Sequence, residues 1–190
     1  SRASAQAKLF VLAAHAIETP NLLLRSTQAH APQGVANRSD AVGRYLMGQV
    51  DLDTRALTRD PLYTYRAPTT TAGIQELRDG DFRKQHAAIG TSFLNRGWRT
   101  GLGPMQRSAH LIKAGLRGDK LSAALNDQCS RELAINSSVE TLPTANNRVV
   151  PDPSLRDSSG MPRPRVSFKI DDYSLRAIDK ARTRHAEIVK

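Results

Sequence analysis

The chain has 190 residues, a length that suits one domain of ordinary size or two small ones. Its 28 basic residues outnumber 18 acidic ones for a net charge of +10, yet the arginines recur singly among acids, which argues against a nucleic-acid-binding face. The single Cys129 excludes an intramolecular disulfide and a cysteine metal site, and no run is long and apolar enough to span a bilayer.

From the N-terminus, Ala7 to Ala14 is a short apolar run that reads as a buried strand of the parallel type. Thr19 then suits a helix cap, with Pro20 at the first helical position. Gln33-Gly34 and Asn37-Arg-Ser-Asp40 are loop chemistry, and Asp40 to Met47 could add a helical turn. Gln49 to Leu57 alternates polar and apolar residues, as a half-buried strand does. Thr69 to Ile74 is a weaker strand candidate, Asp79-Gly80-Asp81 a turn, and His86 to Leu94 a strand interrupted by Gly90. The stretch Gly97 to Gly103 is polar and reads as flexible, and Gly101-Leu-Gly103 has no apolar strand before it to make a phosphate loop.

Met105 to Ala114 and Lys120 to Arg131 carry helical spacing, the latter with Leu121, Ala124, Leu125 and Cys129 on one face. Glu132 to Glu140 reads as strand, and Pro143 to Pro164 as a long connector containing Val149 and Val150. Arg165 to Asp171 alternates cleanly and is the clearest strand. Asp172 can cap a final helix whose packing positions are Tyr173, Ile178, Ala181, His185 and Ile188. Irregular alternation of helices with antiparallel-type strands predicts an α+β fold, a sheet layered with helices.

Four segments resemble the glucose-methanol-choline (GMC) oxidoreductases, and among them the bacterial sorbitol, fructose and gluconate dehydrogenase branch. They are Leu12-Ala-Ala-His-Ala-Ile-Glu-Thr-Pro-Asn-Leu-Leu-Leu-Arg-Ser26, Gly34-Val-Ala-Asn-Arg-Ser-Asp-Ala-Val-Gly-Arg-Tyr-Leu-Met47, Glu140-Thr-Leu-Pro-Thr-Ala-Asn-Asn-Arg-Val-Val-Pro-Asp-Pro153 and Gly160-Met-Pro-Arg-Pro-Arg-Val-Ser-Phe-Lys-Ile-Asp-Asp-Tyr173. Their order and spacing match as well, and the likeness is thinnest between Thr58 and Leu125. His15 stands where relatives commonly place Gly or Asn. Tyr45 and Gly48-Gln49 also depart, since the family usually has Asn and then Asp-His there.

The resemblance implies an enzyme that holds FAD in one domain and oxidises a CH-OH group of a sugar, polyol or other alcohol beneath an antiparallel sheet. The flavin takes the hydride, and the protein orients the substrate. Residues 1–48 are then a remnant of the FAD-binding domain, with one strand and one helix. Residues 49–171 are an incomplete substrate-binding domain, mainly antiparallel sheet, and residues 172–190 are a helix leading back to a missing part. The glycine-rich pyrophosphate turn would precede residue 1 and the catalytic histidine would follow Lys190, so no catalytic residue is expected here.

Ala13, Ala14 and His15 fall where the family's backbone passes the flavin nucleotide; the other reading is a strand-to-helix turn alone. Glu140 matches a position in the sheet over the substrate and could bind sugar hydroxyls, although pairing with Arg148 is the favoured role. The histidines lack ligand spacing, and no metal site is expected. Asp171-Asp172 reads as a strand end and helix cap rather than paired acid-base carboxylates.

A haem subunit and a quinone acceptor are the partners that the branch implies, with a periplasmic or membrane-associated location, although no signal segment is visible. A chain that starts Ser1-Arg2-Ala3 and runs at once into an apolar strand reads as cut from something longer, inactive alone. Two other expectations stand beside it: a basic nucleic-acid-binding module, and a gene remnant without function.

Overall fold

The computed structural model describes residues 4–95 and 103–190; the polar stretch 97–102 therefore lies outside the described residues. The fold is α+β with antiparallel sheets, and it divides into two compact units.

The larger unit, residues 48–141 with 170–190, is built on a four-stranded antiparallel sheet in the order β1-β4-β3-β2. Its strands are β1 (Gln49–Leu57), β2 (Thr70–Ile74), β3 (Ile89–Leu94) and β4 (Glu132–Glu140). Residues of β1 alternate between exposed and half-buried along the whole strand, as its polar-apolar pattern requires. β4 is central and nearly continuously buried; it pairs with β1 from Gln49↔Glu140 to Leu57↔Glu132 and with β3 on its other side. Gly90 does not interrupt β3, because glycine keeps its backbone hydrogen bonds and only removes a side chain.

Among the described residues this unit holds three α-helices: α2 (Pro104–Lys113), α3 (Gly118–Ser130) and α4 (Asp172–Ile188). On α4 the buried residues are Ser174, Ala177, Ala181 and His185, a stripe at helical spacing that is mostly small. Small side chains let the helix approach the sheet closely, so Ala177 and Ala181 pack with Ala87, Ile89 and Val139, with Leu52, Leu77, Tyr173 and Ile178 around them. The cap of α4 is Asp171 rather than Asp172. Asp171 is extended, and its carboxylate accepts from Ser174 N–H and from the Ser174 hydroxyl, both at 2.8 Å, which leaves Asp172 in the first turn.

α2 and α3 pack against each other, and α2 is tied to the start of β4 by Glu132. This carboxylate is 4 % exposed, accepts from Gly103 N–H at 3.1 and 3.2 Å, and pairs with Arg107 at 2.8 Å. A buried acid is tolerable only with such partners, and here it also meets the positive end of a helix.

The smaller unit comprises residues 4–47 and 142–169. α1 (His15–Arg25) packs on a two-stranded hairpin of β5 (Arg148–Arg156) and β6 (Pro162–Ser167). The segment read as a proline-rich connector thus contains a strand. Its prolines face each other across the ladder at Pro151↔Pro164, with a register shift between Pro151 and Arg156. A two-stranded sheet has only edge strands, a setting that admits proline. β6 also begins and ends earlier than the alternation from Arg165 to Asp171 suggested.

Residues 7–14 form no strand; Leu9, Phe10 and Val11 are 78 %, 65 % and 77 % exposed. An apolar run becomes a strand only beside a neighbour, and no described residue pairs with it. α1 starts before the expected cap, with Pro20 inside it, and Thr19 Oγ1 instead accepts from Ala14 N–H at 3.1 Å. Asp40 to Met47 makes turns, not helix. Two glycines are required in this loop. A Cβ on Gly34 (φ 99°) would lie 2.6 Å from the Leu23 carbonyl oxygen, and one on Gly43 (φ 80°) 2.3 Å from that of Val149.

Glu132→Ala should leave Arg107 and the first turn of α2 without an acceptor and destabilise the larger unit by about 3 kcal/mol. Urea unfolding of the two proteins at neutral pH checks this, with Glu132→Gln expected to lose less.

Candidate functional site

Alternation along β4 sends successive polar residues to opposite sides of the sheet. Asn136 and Ser138 meet β1 on one side. Asn136 Nδ2 donates to Asp53 Oδ1 at 2.8 Å, and the Ser138 hydroxyl donates to Asp51 and lies 3.4 Å from Asn136 Oδ1. Register places Ser92 and Gly90 of β3 opposite Asn136 and Ser138. Nothing lies within 4 Å of where a Cβ on Gly90 would be, so the band has open space beside Ser138. Asp51 and Asp53 are exposed, while Asn136 is buried. This band of two carboxylates, an amide and hydroxyls has the acceptors and donors that a polyhydroxylated molecule needs.

The other side faces α4. His185, 1 % exposed, is held at both ring nitrogens: Nε2 lies 2.8 Å from Ser137 Oγ and Nδ1 lies 2.7 Å from Thr54 Oγ1. Ser137 in turn lies 2.7 Å from Thr91 Oγ1. Burial lowers the pKa of His185 below its ordinary value of 6.5, and the negative charge of Asp53 offsets part of that. The neutral ring, one nitrogen donating and the other accepting, satisfies this chain of hydroxyls.

Of the residues singled out in the sequence, Ala13, Ala14 and His15 are exposed at the entry to α1, and Ala14 N–H is already bonded to Thr19. His15 has φ 71°, a conformation that Gly and Asn adopt more readily, which gives a backbone reason for those residues at this place in relatives. A cavity of about 390 Å³ in the same unit is lined by residues 30–38, a single loop.

Glu140 pairs with Arg83 at 2.9 Å and accepts from Ala88 N–H at 3.3 Å. With both oxygens engaged, it has less free acceptor capacity than Asp51 or Asp53. Cys129 is half-buried with its pKa raised by burial and by Glu132, the opposite of an activated thiol. Sequence reading missed Asp51, Asp53, Asn136 and Ser138. The signal available was the run Asn136-Ser137-Ser138, three polar residues in the middle of a strand, between apolar Leu133-Ala-Ile135 and Val139.

No family model matches the chain. Over 97 % of its length it is 32 % identical to the fructose dehydrogenase large subunit of Gluconobacter japonicus, and over 89 % it is 28 % identical to a 2-methyl-1,2-propanediol dehydrogenase of Mycolicibacterium austroafricanum. A shorter stretch of 77 residues is 42 % identical to a 6'''-hydroxyparomomycin C oxidase of Streptomyces lividus. The relatives are oxidoreductases by name. The chain spans about a third of the length of the first two, 33 % and 31 %.

The lowered pKa of His185 fixes a sign for the pH dependence. Between the lowered folded pKa and the unfolded one, the unfolded chain binds a proton that the folded chain refuses, so the stabilisation is complete above about pH 6.5 and declines as the pH falls towards the folded value. Urea midpoints between about pH 7.5 and pH 5 should fall with acid for the parent protein and less steeply for His185→Gln.

Proposed function

We propose that this chain is a portion of an FAD-dependent oxidoreductase of the GMC type, acting on the CH-OH group of a sugar, polyol or other alcohol. The observation that carries the reading is likeness over nearly the whole chain to a fructose dehydrogenase large subunit, at 32 % identity. Two further features support it: the four family-like segments lie in order, and the larger unit is an antiparallel sheet with a polar band on one side.

In this reading residues 1–48 belong to the flavin-holding domain, and the four-stranded sheet lies in the substrate domain of residues 49–171. The flavin, when bound, supplies the hydride acceptor. The role of this chain is binding and orientation: Asp51 and Asp53 accept hydrogen bonds from substrate hydroxyls, while Asn136 and Ser138 hold those carboxylates in place. Glu140 serves the same surface by fixing Arg83 and the turn at Ala88. Ala13, Ala14 and His15, at the entry to α1, are where the backbone passes the flavin nucleotide in this reading. A haem subunit and a quinone acceptor, as in the bacterial branch, complete the proposed electron path.

The basic nucleic-acid-binding reading is not favoured. Arg44, Arg83, Arg107, Arg131, Arg182 and Arg184 are all engaged by carboxylates, which removes them from any phosphate-binding stripe.

Titrating FAD into the 190-residue chain, followed by flavin fluorescence at low and moderate salt, tests the division of labour. The expected result is no saturation, or loose binding that salt removes. Saturable, salt-resistant binding with a shifted flavin spectrum would show that this chain builds the cofactor site itself.

A further inference from the structure

On the α4 side of the four-stranded sheet, within the larger unit, lies a cavity of about 250 Å³. Its apolar lining comes from Ile74, Leu77 and Ile188. Thr91, 7 % exposed, forms its buried end, while Glu76, Arg184 and Glu187, all substantially exposed, form its mouth. Apolar walls with a few convergent polar groups are what small-molecule sites share.

The polar groups narrow the ligand. Arg184 Nη2 donates to both oxygens of Glu76 at 2.6 and 2.8 Å, and its Nη1 donates to Glu187 at 2.9 Å. The mouth therefore has two carboxylates and one guanidinium, a net charge of −1 that opposes an anion. Those carboxylates are already held by Arg184, so they offer little to an ammonium group. At the buried end, the Thr91 hydroxyl uses one hydrogen bond on Ser137 and has capacity for another.

The chain Thr91, Ser137, His185, Thr54 can run in either direction. With the proton of His185 on Nδ1, Ser137 donates to Nε2 and Thr91 donates to Ser137, so Thr91 presents an acceptor to the cavity. With the proton on Nε2 every bond reverses, and Thr91 presents a donor. A hydroxyl, which both donates and accepts, matches both arrangements; an ammonium or a carboxylate matches one. Size gives the last limit: a dry cavity of ~150 Å³ holds benzene, so this one takes a body slightly larger.

We infer that this cavity binds a short-chain aliphatic alcohol, its hydroxyl on Thr91 Oγ1 and its chain against Ile74, Leu77 and Ile188. The site stands independently of the oxidoreductase reading.

The test is an NMR titration of the 190-residue chain with 1-pentanol, pentylammonium and pentanoate at matched concentrations. Saturable shifts centred on Thr91, Ser137 and Ile188 are expected with 1-pentanol, and binding about fivefold or more weaker with the two ions. Thr91→Val, which keeps shape but removes the hydroxyl, should weaken 1-pentanol about tenfold, the worth of one hydrogen bond. Ile188→Trp, at the half-buried C-terminal end of α4, should fill the cavity and abolish the shifts. The inference is overturned if 1-pentanol gives no saturable shift at these residues. It is equally overturned if either ion binds as well, or if the shifts survive Ile188→Trp.

Discussion

The two-sided pairing of β4 is the constraint on which the rest of the larger unit depends. Hydrogen-bonded to β1 and β3 along both edges, this strand has no freedom of register, and its alternate residues serve different surfaces. Ile135, Ser137 and Val139 face the core and α4; Asn136 and Ser138 meet Asp53 and Asp51. A slip of one residue would place Asn136 and Ser138 in the core and expose Val139. Its ends are fixed as well, through Glu132 to α2 at one and through Glu140 to Arg83 and Ala88 at the other. The buried His185 adds a second lock, because only one register offers its Nε2 the Ser137 hydroxyl and its Nδ1 that of Thr54.

What the sequence disclosed follows from how local each signal is. β1 and β4 were legible, since alternation or a bounded apolar run identifies a strand without its partners. The helices α2, α3 and α4 were legible from spacing, with the cap of α4 misplaced by one residue because Asp171 and Asp172 are both good caps. β5 was hidden by Pro151 and Pro153, which ordinarily argue against a strand; a hairpin made wholly of edges reverses that argument. The run from Ala7 to Ala14 failed in the opposite way, having strand composition and no neighbour. The candidate site was the least legible part. Asp53, Asn136, Thr54, Thr91, Ser137 and His185 are far apart in sequence and become meaningful only when the sheet order is known.

The smaller unit has a different character. Gly34 and Gly43 allow close backbone approach to Leu23 and Val149, so two glycines in a family-like segment are there for packing. Leu9, Phe10 and Val11 leave apolar surface in water, which a neighbouring strand would remove. The reading as part of a larger flavoprotein supplies such a neighbour, and it fits the third of the relatives' length over which the likeness extends.

The most direct measurement is a graft. The third of the Gluconobacter fructose dehydrogenase large subunit that matches this chain is replaced by residues 1–190, and the purified chimaera is assayed for bound flavin and for dye reduction with sugars and alcohols. The account predicts a folded chimaera that retains flavin and reduces dye when a hydroxylated substrate is supplied. A soluble chimaera with native-like cooperative unfolding but neither flavin nor substrate-dependent reduction would contradict it.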